Sequence, residues 1–328
     1  MSPKDTPDNA TRLRKPDWLK VKVPQGERFN WIRSQARSQG LHTVCEEARC
    51  PNIGECWQGG TATFMLMGDT CTRGCRFCSV KTVRNPGPLD DHEPTHISET
   101  IRAMELDYVV LTTVNRDDLP DQGSGHIAET IRRTRLANPD LLIEVLIPDF
   151  QGRMDLLDTV IAAEPAVIAH NMETVERLTH PVRDPRAAFA QSLAVLEHVK
   201  SAQSPAPHLK TKSSLMLGLG ETIDEVRATM RALRAIDVDF LTLGQYLQPD
   251  RKKLEVTAFI HPETFTALER EGLEMGFRYV ASGPLVRSSY RAAEYYISRF
   301  LKEDRPGPGG GQEEVNARRE SRTGGGRA

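Results

Sequence analysis

The 328-residue chain is expected to be an α/β protein built on a parallel sheet, and three observations carry that expectation. Short runs apolar on both faces recur along the sequence, as strands buried between two layers require. Amphipathic segments of helical period separate these runs. The strand–helix unit repeats about every 30 to 45 residues, the length of a right-handed crossover.

Residues 1–28 are polar, with Pro16 and Pro24 interrupting any helix, while Trp18, Leu19 and Val21 suit docking on a core. A short helix is expected over 29–38. Strands are expected at 62–68 (ATFMLMG), 108–114 (YVVLTTV), 141–148 (LLIEVLIP), 166–171 (AVIAHN), 214–219 (SLMLGL), 240–247 (FLTLGQYL) and, with a weaker pattern, 277–281 (FRYVA). Helices fill 97–105, 126–136, 154–163, 187–199, 223–236 and 262–275. Their N-caps are expected at Thr95 or Ser98, at Ser124, and at Thr222, which stands at capping-box spacing from Glu225. Six such units can close into a partial barrel or lie open as a doubly wound sheet. Periodicity does not choose between them, and both put functional loops at the carboxyl ends of the strands. After Lys302 the chain has no aromatic residue, and Val315 is its one aliphatic beyond alanine. Such a segment cannot offset its ordering entropy and is expected to be disordered.

A formal net charge of -2, with no basic half, gives no reason to expect a nucleic-acid partner. No apolar run is long enough to span a bilayer, and Asp5 and Asp8 are at odds with an acid-poor transit peptide. A cytoplasmic enzyme is the expectation.

All six cysteines fall in two groups of three: Cys45, Cys50 and Cys56, then Cys71, Cys75 and Cys78. A disulfide framework would spread its crosslinks, and a chain of this size needs none. The second group, CTRGCRFC, follows the first expected strand. Three thiolates on a glycine-containing loop can wrap one face of a cuboidal iron–sulfur cluster, whose full ligation normally takes four. Three leave one iron open, and an open metal position is where chemistry occurs. Structural zinc would want a fourth ligand nearby, and no histidine lies within ten residues of this group. The first group, CEEARCPNIGEC, suggests a second cluster with an incomplete thiolate set, its remaining site taken by oxygen or nitrogen or left vacant.

The CxxxCxxC loop after a strand, with Phe77 before its last cysteine, resembles the signature of the radical S-adenosylmethionine (SAM) superfamily. The likeness sharpens to the lipoyl synthase family. It runs through CEEARCPNIGECW, TATFMLMGDTCTRGCRFCSV, TTVNRDDLPDQGSGHIAETIR, HNMETVERL, SSLMLGLGET, LTLGQYLQP and GPLVRSSYRA, about residues 18 to 297. The resemblance implies a partial (β/α)6 TIM-like barrel over 61–284. An N-terminal extension (1–60) would carry the auxiliary cluster motif, 285–300 would close the auxiliary site, and 301–328 would be the tail. It implies two [4Fe–4S] clusters and SAM, with Cys71, Cys75 and Cys78 on the SAM-binding cluster. Cys45, Cys50 and Cys56 would hold the other, with Ser289 as its fourth ligand and Ser288 as the fallback. The second cluster would be consumed as sulfur donor, converting a protein-bound octanoyl group to lipoyl. Octanoylated lipoyl-carrier domains or the glycine cleavage H protein would be the substrate. A flavodoxin or ferredoxin would supply electrons, an iron–sulfur carrier would rebuild the cluster, and the enzyme would act as a monomer. Carrier docking is expected near residues 18 to 44.

The resemblance places SAM contacts after the second strand, at Asn115, Arg116, Asp117 and Asp118, with Asn115 and Asp117 foremost; a solvated loop is the plainer reading of that charge run. Asn171 ends the fourth strand and suits the ribose or methionyl part, whereas His170 suits a satisfied core histidine. Lys210, Lys212 and Arg287 are candidate anchors for acidic groups, Lys212 foremost. Gly218 and Gly220 would let a backbone approach a ligand; Gln245 and Tyr246 would line the cavity. The segment DRKKLEVTAFIHPETF departs from the family's pattern, with Leu254-Glu255-Val256 in place of a proline–valine pair. An alternative reading makes the auxiliary cluster a redox relay in a radical dehydrogenase. An electron carrier is disfavoured, because ferredoxins spend four cysteines per cluster.

Overall fold

The computed structural model describes residues 13–20, 30–31, 33–34, 41–43, 52–53, 63–104, 106, 108–202 and 209–288. Cys45, Cys50, Cys56, Ser289 and the tail after Lys302 lie outside the described residues; of the helix expected over 29–38, residues 30, 31, 33 and 34 are described and are helical.

The main sheet runs in the order β1 (His42–Thr43), β2 (Thr63–Leu66), β5 (Tyr108–Thr113), β6 (Leu142–Leu146), β7 (Val167–Ala169), β8 (Lys210–Leu217), β9 (Phe240–Gln245), β10 (Tyr279–Gly283). Beside it, β3 (Thr70–Cys71) pairs with β4 (Lys81–Thr82). From β2 to β10 every neighbouring pair is parallel; β1 alone joins antiparallel, on the outer edge of β2.

Six crossovers connect the seven parallel strands among the described residues, through α1 (Glu93–Met104), α2 (Ser124–Ala137), α3 (Met154–Ile161), α5 (Phe189–Ser201), α6 (Ile223–Ala235) and α7 (Pro262–Glu274). A four-residue helix, α4 (Thr179–Val182), precedes α5. The Thr222–Glu225 capping box is formed as expected. Two helices start earlier than their expected caps. Thr95 and Ser98 lie inside α1, which begins after Asp90 takes the His92 and Glu93 amides, and Gly123 takes the N-cap place before Ser124.

The sheet curls, which settles what periodicity left open. Phe64, Leu66, Leu111 and Val145 pack with Ile97, Ile101, Ile127 and Ile131 from the helices in one core cluster. A second cluster joins Leu215, Leu241 and Leu243 to Met230 and Leu268. The opposite face forms a third cluster of strand residues with Val286, and there Tyr108 of β5 and Ala281 of β10 belong to one contact group. Among the described residues no helix residue belongs to this third cluster, so the face it lines is covered by the sheet itself and not by a second layer of helices. The helices cover the convex face, which is the barrel arrangement and not the doubly wound one.

Strand β8 begins at Lys210, four residues before the apolar run suggested. Lys210, Lys212 and Ser214 alternate toward the concave face, and Lys212 sits beside Phe240 and Ala169 in the register. Inside a barrel a strand can carry polar residues if they find partners, so the apolar pattern marks only its outer half.

Candidate active site

Strand β2 ends in a left-handed step, with φ of 69° at Met67 and 85° at Gly68. The Glu93 carboxylate holds that step by accepting the Met67 amide at 2.7 Å and the Gly68 amide at 3.3 Å, and His126 Nε2 lies 2.6 Å from it. A side chain at Gly123 would put its Cβ 2.2 Å from the Met67 sulfur. The chain is thereby turned into β3 and the loop bearing Cys71, Cys75 and Cys78.

These three thiols are free and partly buried. Cys71 Sγ accepts the amides of Arg73 (3.4 Å) and Asn115 (3.3 Å), and Cys75 Sγ accepts the amide of Asp184 (3.4 Å). Amide hydrogen bonds to sulfur are the environment that cluster-bound thiolates receive. Burial pushes the Cys75 thiol up to about 12 against the opposing pull of the Asp184 amide, and pushes Cys78 up to about 11. Without metal both are protonated at neutral pH, so cluster loading must release their protons. Among the described residues no three His, Cys, Asp or Glu side chains are grouped to share one metal ion. A cuboidal cluster takes one thiolate per iron, so its ligands need not converge on a point. The donor set of this loop fits such a cluster.

Arg73, between the first two cysteines, is buried. Its guanidinium bonds Asp149 Oδ2 at 2.8 Å and Asp117 Oδ1 at 2.8 Å. Burial opposes ionisation of Asp149, but the Arg73 hydrogen bonds outweigh it and hold the carboxyl down at about 2. Asp117 also accepts from Thr72 Oγ1 (2.6 Å), Gln151 Nε2 (3.0 Å) and Arg186 (3.1 Å). Asp117 thus braces the cysteine loop, and its oxygens are already met. Asn115 docks on the loop through its backbone, accepting the Thr72 amide and hydroxyl at 3.0 Å, with its side chain half-buried at the end of β5. Arg116 and Asp118 pair with each other.

Beyond β7, Asn171 Nδ2 donates to Glu173 at 3.1 Å, while Asn171 Oδ1 is buried with no hydrogen-bond partner. Burial raises the Glu173 carboxyl, partly countered by the Arg183 charge. The same Arg183 charge acts on Cys75, so the two groups share one locality. A buried acceptor and a half-buried carboxylate next to the cysteine loop suit the hydroxyl and amine donors of a SAM-like ligand. Glu173 escaped the sequence reading, although it sits two residues after Asn171. The whole residue run after each strand, not only its last polar residue, carried the signal.

Lys212 is placed elsewhere. Its ammonium lies 2.9 and 2.8 Å from the two Glu144 oxygens inside the barrel, where the Tyr108 hydroxyl donates to the same carboxylate at 2.5 Å. Its charge is met within the protein and is not directed at a cofactor carboxylate. His170 is a satisfied core histidine, with Nδ1 3.0 Å from the Ile147 carbonyl and Nε2 2.9 Å from Ser192 Oγ; burial lowers its pKa to about 4.

Of the two glycines expected to approach a ligand, Gly218 instead makes room for protein, while a Cβ on Gly220 would meet only ordinary contacts with Thr257. A Cβ on Gly218 would stand 2.2 Å from Gln245 Nε2 and 2.4 Å from the Ala258 carbonyl. Gln245 is consumed in that packing, donating to the Tyr246 and Ala258 carbonyls. Tyr246 donates to the Leu254 carbonyl, and the Leu254 amide to the Arg76 carbonyl. The divergent segment after β9 therefore walls the cysteine loop. With Phe77, its Leu254 and Val256 pack against the second core cluster. A cavity of about 330 Å³ opens there, lined by Gly74, Cys75, Arg76 and residues 252–255.

The upstream cysteine motif is represented by Asn52, which is buried and donates from Nδ2 to the Leu285 carbonyl at 2.6 Å. Val286 follows, its carbonyl lying where a Cβ on Gly244 would come within 2.1 Å. Ser288 is partly buried at the edge of the described chain. Leu19 is buried as expected, while Trp18 stays 41% exposed and meets the His261 ring edge-on at 5.3 Å. No helix among the described residues is long and apolar enough to cross a membrane.

A family model described as the radical SAM superfamily matches residues 65–233, and one for the N-terminal domain of lipoyl synthase matches residues 3–50. The chain is 56% identical to lipoyl synthase of Anaeromyxobacter sp. (strain Fw109-5), over 90% of this chain and 99% of that one. It is 55% identical to the human mitochondrial lipoyl synthase, over 88% and 78%. Among solved structures, HydG, a maturase of the [FeFe]-hydrogenase, superposes with a TM-score of 0.51 at 13% identity, over 87% of this chain and 61% of that one. SuiB of Streptococcus suis bound to S-adenosylmethionine gives 0.50 at 7% identity, over 68% and 50%. These two speak to the fold.

Proposed function

The chain belongs to the lipoyl synthase family of radical SAM enzymes, and on that premise we propose that it inserts sulfur at C6 and C8 of an octanoyl group carried on a protein lysine. The observation that carries the reading is the Asn52–Leu285 hydrogen bond. It ties the upstream cysteine motif to the segment that leads into Ser288 and Ser289, as an auxiliary cluster held from both ends of the chain requires.

When bound, a reduced [4Fe–4S] cluster with SAM supplies a 5′-deoxyadenosyl radical, one for each C–H bond to be broken. Cys71, Cys75 and Cys78 hold that cluster in this proposal, with Phe77 as the apolar flank of the loop. Asn115, Asn171 and Glu173 receive the polar groups of SAM. Asp117 acts one step removed, by fixing Thr72 and Arg73, and Lys212 by neutralising Glu144 inside the barrel. Cys45, Cys50, Cys56 and Ser289 hold the auxiliary cluster, which is a substrate because it gives up sulfide. A hard oxygen donor among soft thiolates is the weakest bond of that set, and so the corner that opens.

The proposal extends to octanoylated lipoyl-carrier domains or the glycine cleavage H protein as substrate and to a flavodoxin or ferredoxin as reductant. It further includes an iron–sulfur carrier for rebuilding, a monomeric state and a cytoplasmic location. Anaerobic reconstitution should give about eight iron and eight sulfide per chain. Incubation with SAM, reductant and an octanoylated carrier should yield 5′-deoxyadenosine and lipoyl product, with one cluster lost per product. A cluster that survives turnover would favour the redox relay instead.

A further inference from the structure

The end of α4 and the loop that follows it dock against the cysteine loop, and the superfamily signature does not include them. The Arg76 amide donates to the Val182 carbonyl at 2.9 Å and the Arg76 guanidinium to the Pro181 carbonyl at 2.9 Å. Arg186 Nη2 reaches the Thr72 carbonyl at 2.8 Å. Asp184 stands at the centre and is 5% exposed. Its Oδ2 accepts the Gly74 amide at 2.8 Å while its own amide donates to Cys75 Sγ at 3.4 Å. One residue therefore grips two successive positions of the loop, at the backbone of Gly74 and the sulfur of Cys75. Arg186 locks the grip, with Nε 2.8 Å from Asp184 Oδ1 and its amide 3.1 Å from the same oxygen.

We propose that Asp184 is a positioning residue for the cluster held by Cys71, Cys75 and Cys78, and that its clamp on Gly74 sets that cluster's reduction potential through the hydrogen bond to Cys75. The inference rests on the cofactor reading above. An N–H···S bond favours the more negative, reduced cluster and so raises the potential. The Asp184 carboxylate charge works the other way. Of the contacts between the two segments, the clamp is the one that fixes the residue preceding Cys75. The Arg76 and Arg186 contacts hold the segments together on either side, and the Asp184 carboxylate sets the Gly74 position on which the N–H···S geometry depends.

The test uses the full chain with both clusters reconstituted, in two variants that remove the same charge. Asp184→Asn keeps an oxygen for the Gly74 amide; Asp184→Ala does not. An EPR-monitored redox titration, following the signal that shifts when SAM is added, reads the midpoint of this cluster alone. The alanine variant should have the lower midpoint, with the asparagine variant restoring the hydrogen-bond contribution. Should alanine hold no cluster, iron counts showing a loaded asparagine variant support the same clamp. Equal midpoints in the two variants overturn the proposal. So does a failure of both to hold the cluster, which would make Asp184 a determinant of folding only. A wild-type chain without any SAM-shifted signal sinks the cofactor reading instead.

Discussion

The two cysteine groups meet the rest of the molecule in different ways. The 71–78 loop leaves a barrel strand and is gripped by segments following three others: Asn115 and Asp117 after β5, Asp149 after β6, Asp184 and Arg186 after β7. Its geometry is thus a property of the barrel. For the upstream motif, the described links are the packing of Ile53 on the first core cluster and the side-chain bond from Asn52 to Leu285, 233 residues away. A cofactor that must survive every turnover profits from a rigid, many-sided support. A cluster that gives up its sulfur profits from a site assembled by chain ends.

Exchanging the two groups in function is the sharpest way to break this comparison. Alanine at Cys71, Cys75 or Cys78 should abolish 5′-deoxyadenosine formation altogether. Alanine at Cys45, Cys50 or Cys56 should leave SAM cleavage and abolish lipoyl formation, both read by chromatography of the products. Thiolation persisting in the second set would remove the donor role.

A smaller effect is expected from the brace. Arg73→Ala strands Asp149 as a buried charge and leaves Asp117 paired with Arg186, and should cost about 3–5 kcal/mol in denaturant unfolding. The same network sets an acid limit. Because the Asp149 carboxyl is held at about 2 in the folded state, its contribution is complete above the ordinary aspartate value near pH 4 and is lost as pH falls toward 2. Acid unfolding of the wild type should show a steep loss in that window, which Arg73→Ala flattens.

The smallest effect belongs to the other side. Asn52→Ala removes one buried hydrogen bond, about 1 kcal/mol. It should lower auxiliary-cluster iron, counted after gel filtration, with SAM cleavage unchanged within about twofold, since about 0.4 kcal/mol separates rates by that factor. Equal loss at both clusters would erase the distinction drawn here.

Much of this was legible in the linear chain. The cysteine spacings name the chemistry, and the apolar runs locate the strands, because strands buried on both faces read as continuous apolar runs. The start of β8 was not legible, since Lys210 and Lys212 look like surface residues until a barrel encloses them. Gly218 and Gln245 looked like ligand-facing residues and proved to pack on each other.

Alone, the sequence determined which cysteines bear chemistry, roughly where the seven parallel strands and their crossover helices lie, and which family the cofactors come from. These follow from local spacing and periodicity, which chain connectivity enforces. The short β1, β3 and β4 and the start of β8 were left to the fold. Only the tertiary structure decided that the sheet curls, that Lys212 answers Glu144, that Glu173 lies half-buried beside the cysteine loop, and that Asp184 clamps it. Each of those depends on partners brought together by folding: Arg73 and Asp149 are 76 residues apart, Gly74 and Asp184 are 110 apart, and Asn52 and Leu285 are 233 apart. No local pattern encodes such pairs, because a charge or amide carries no mark of the partner that burial will assign to it.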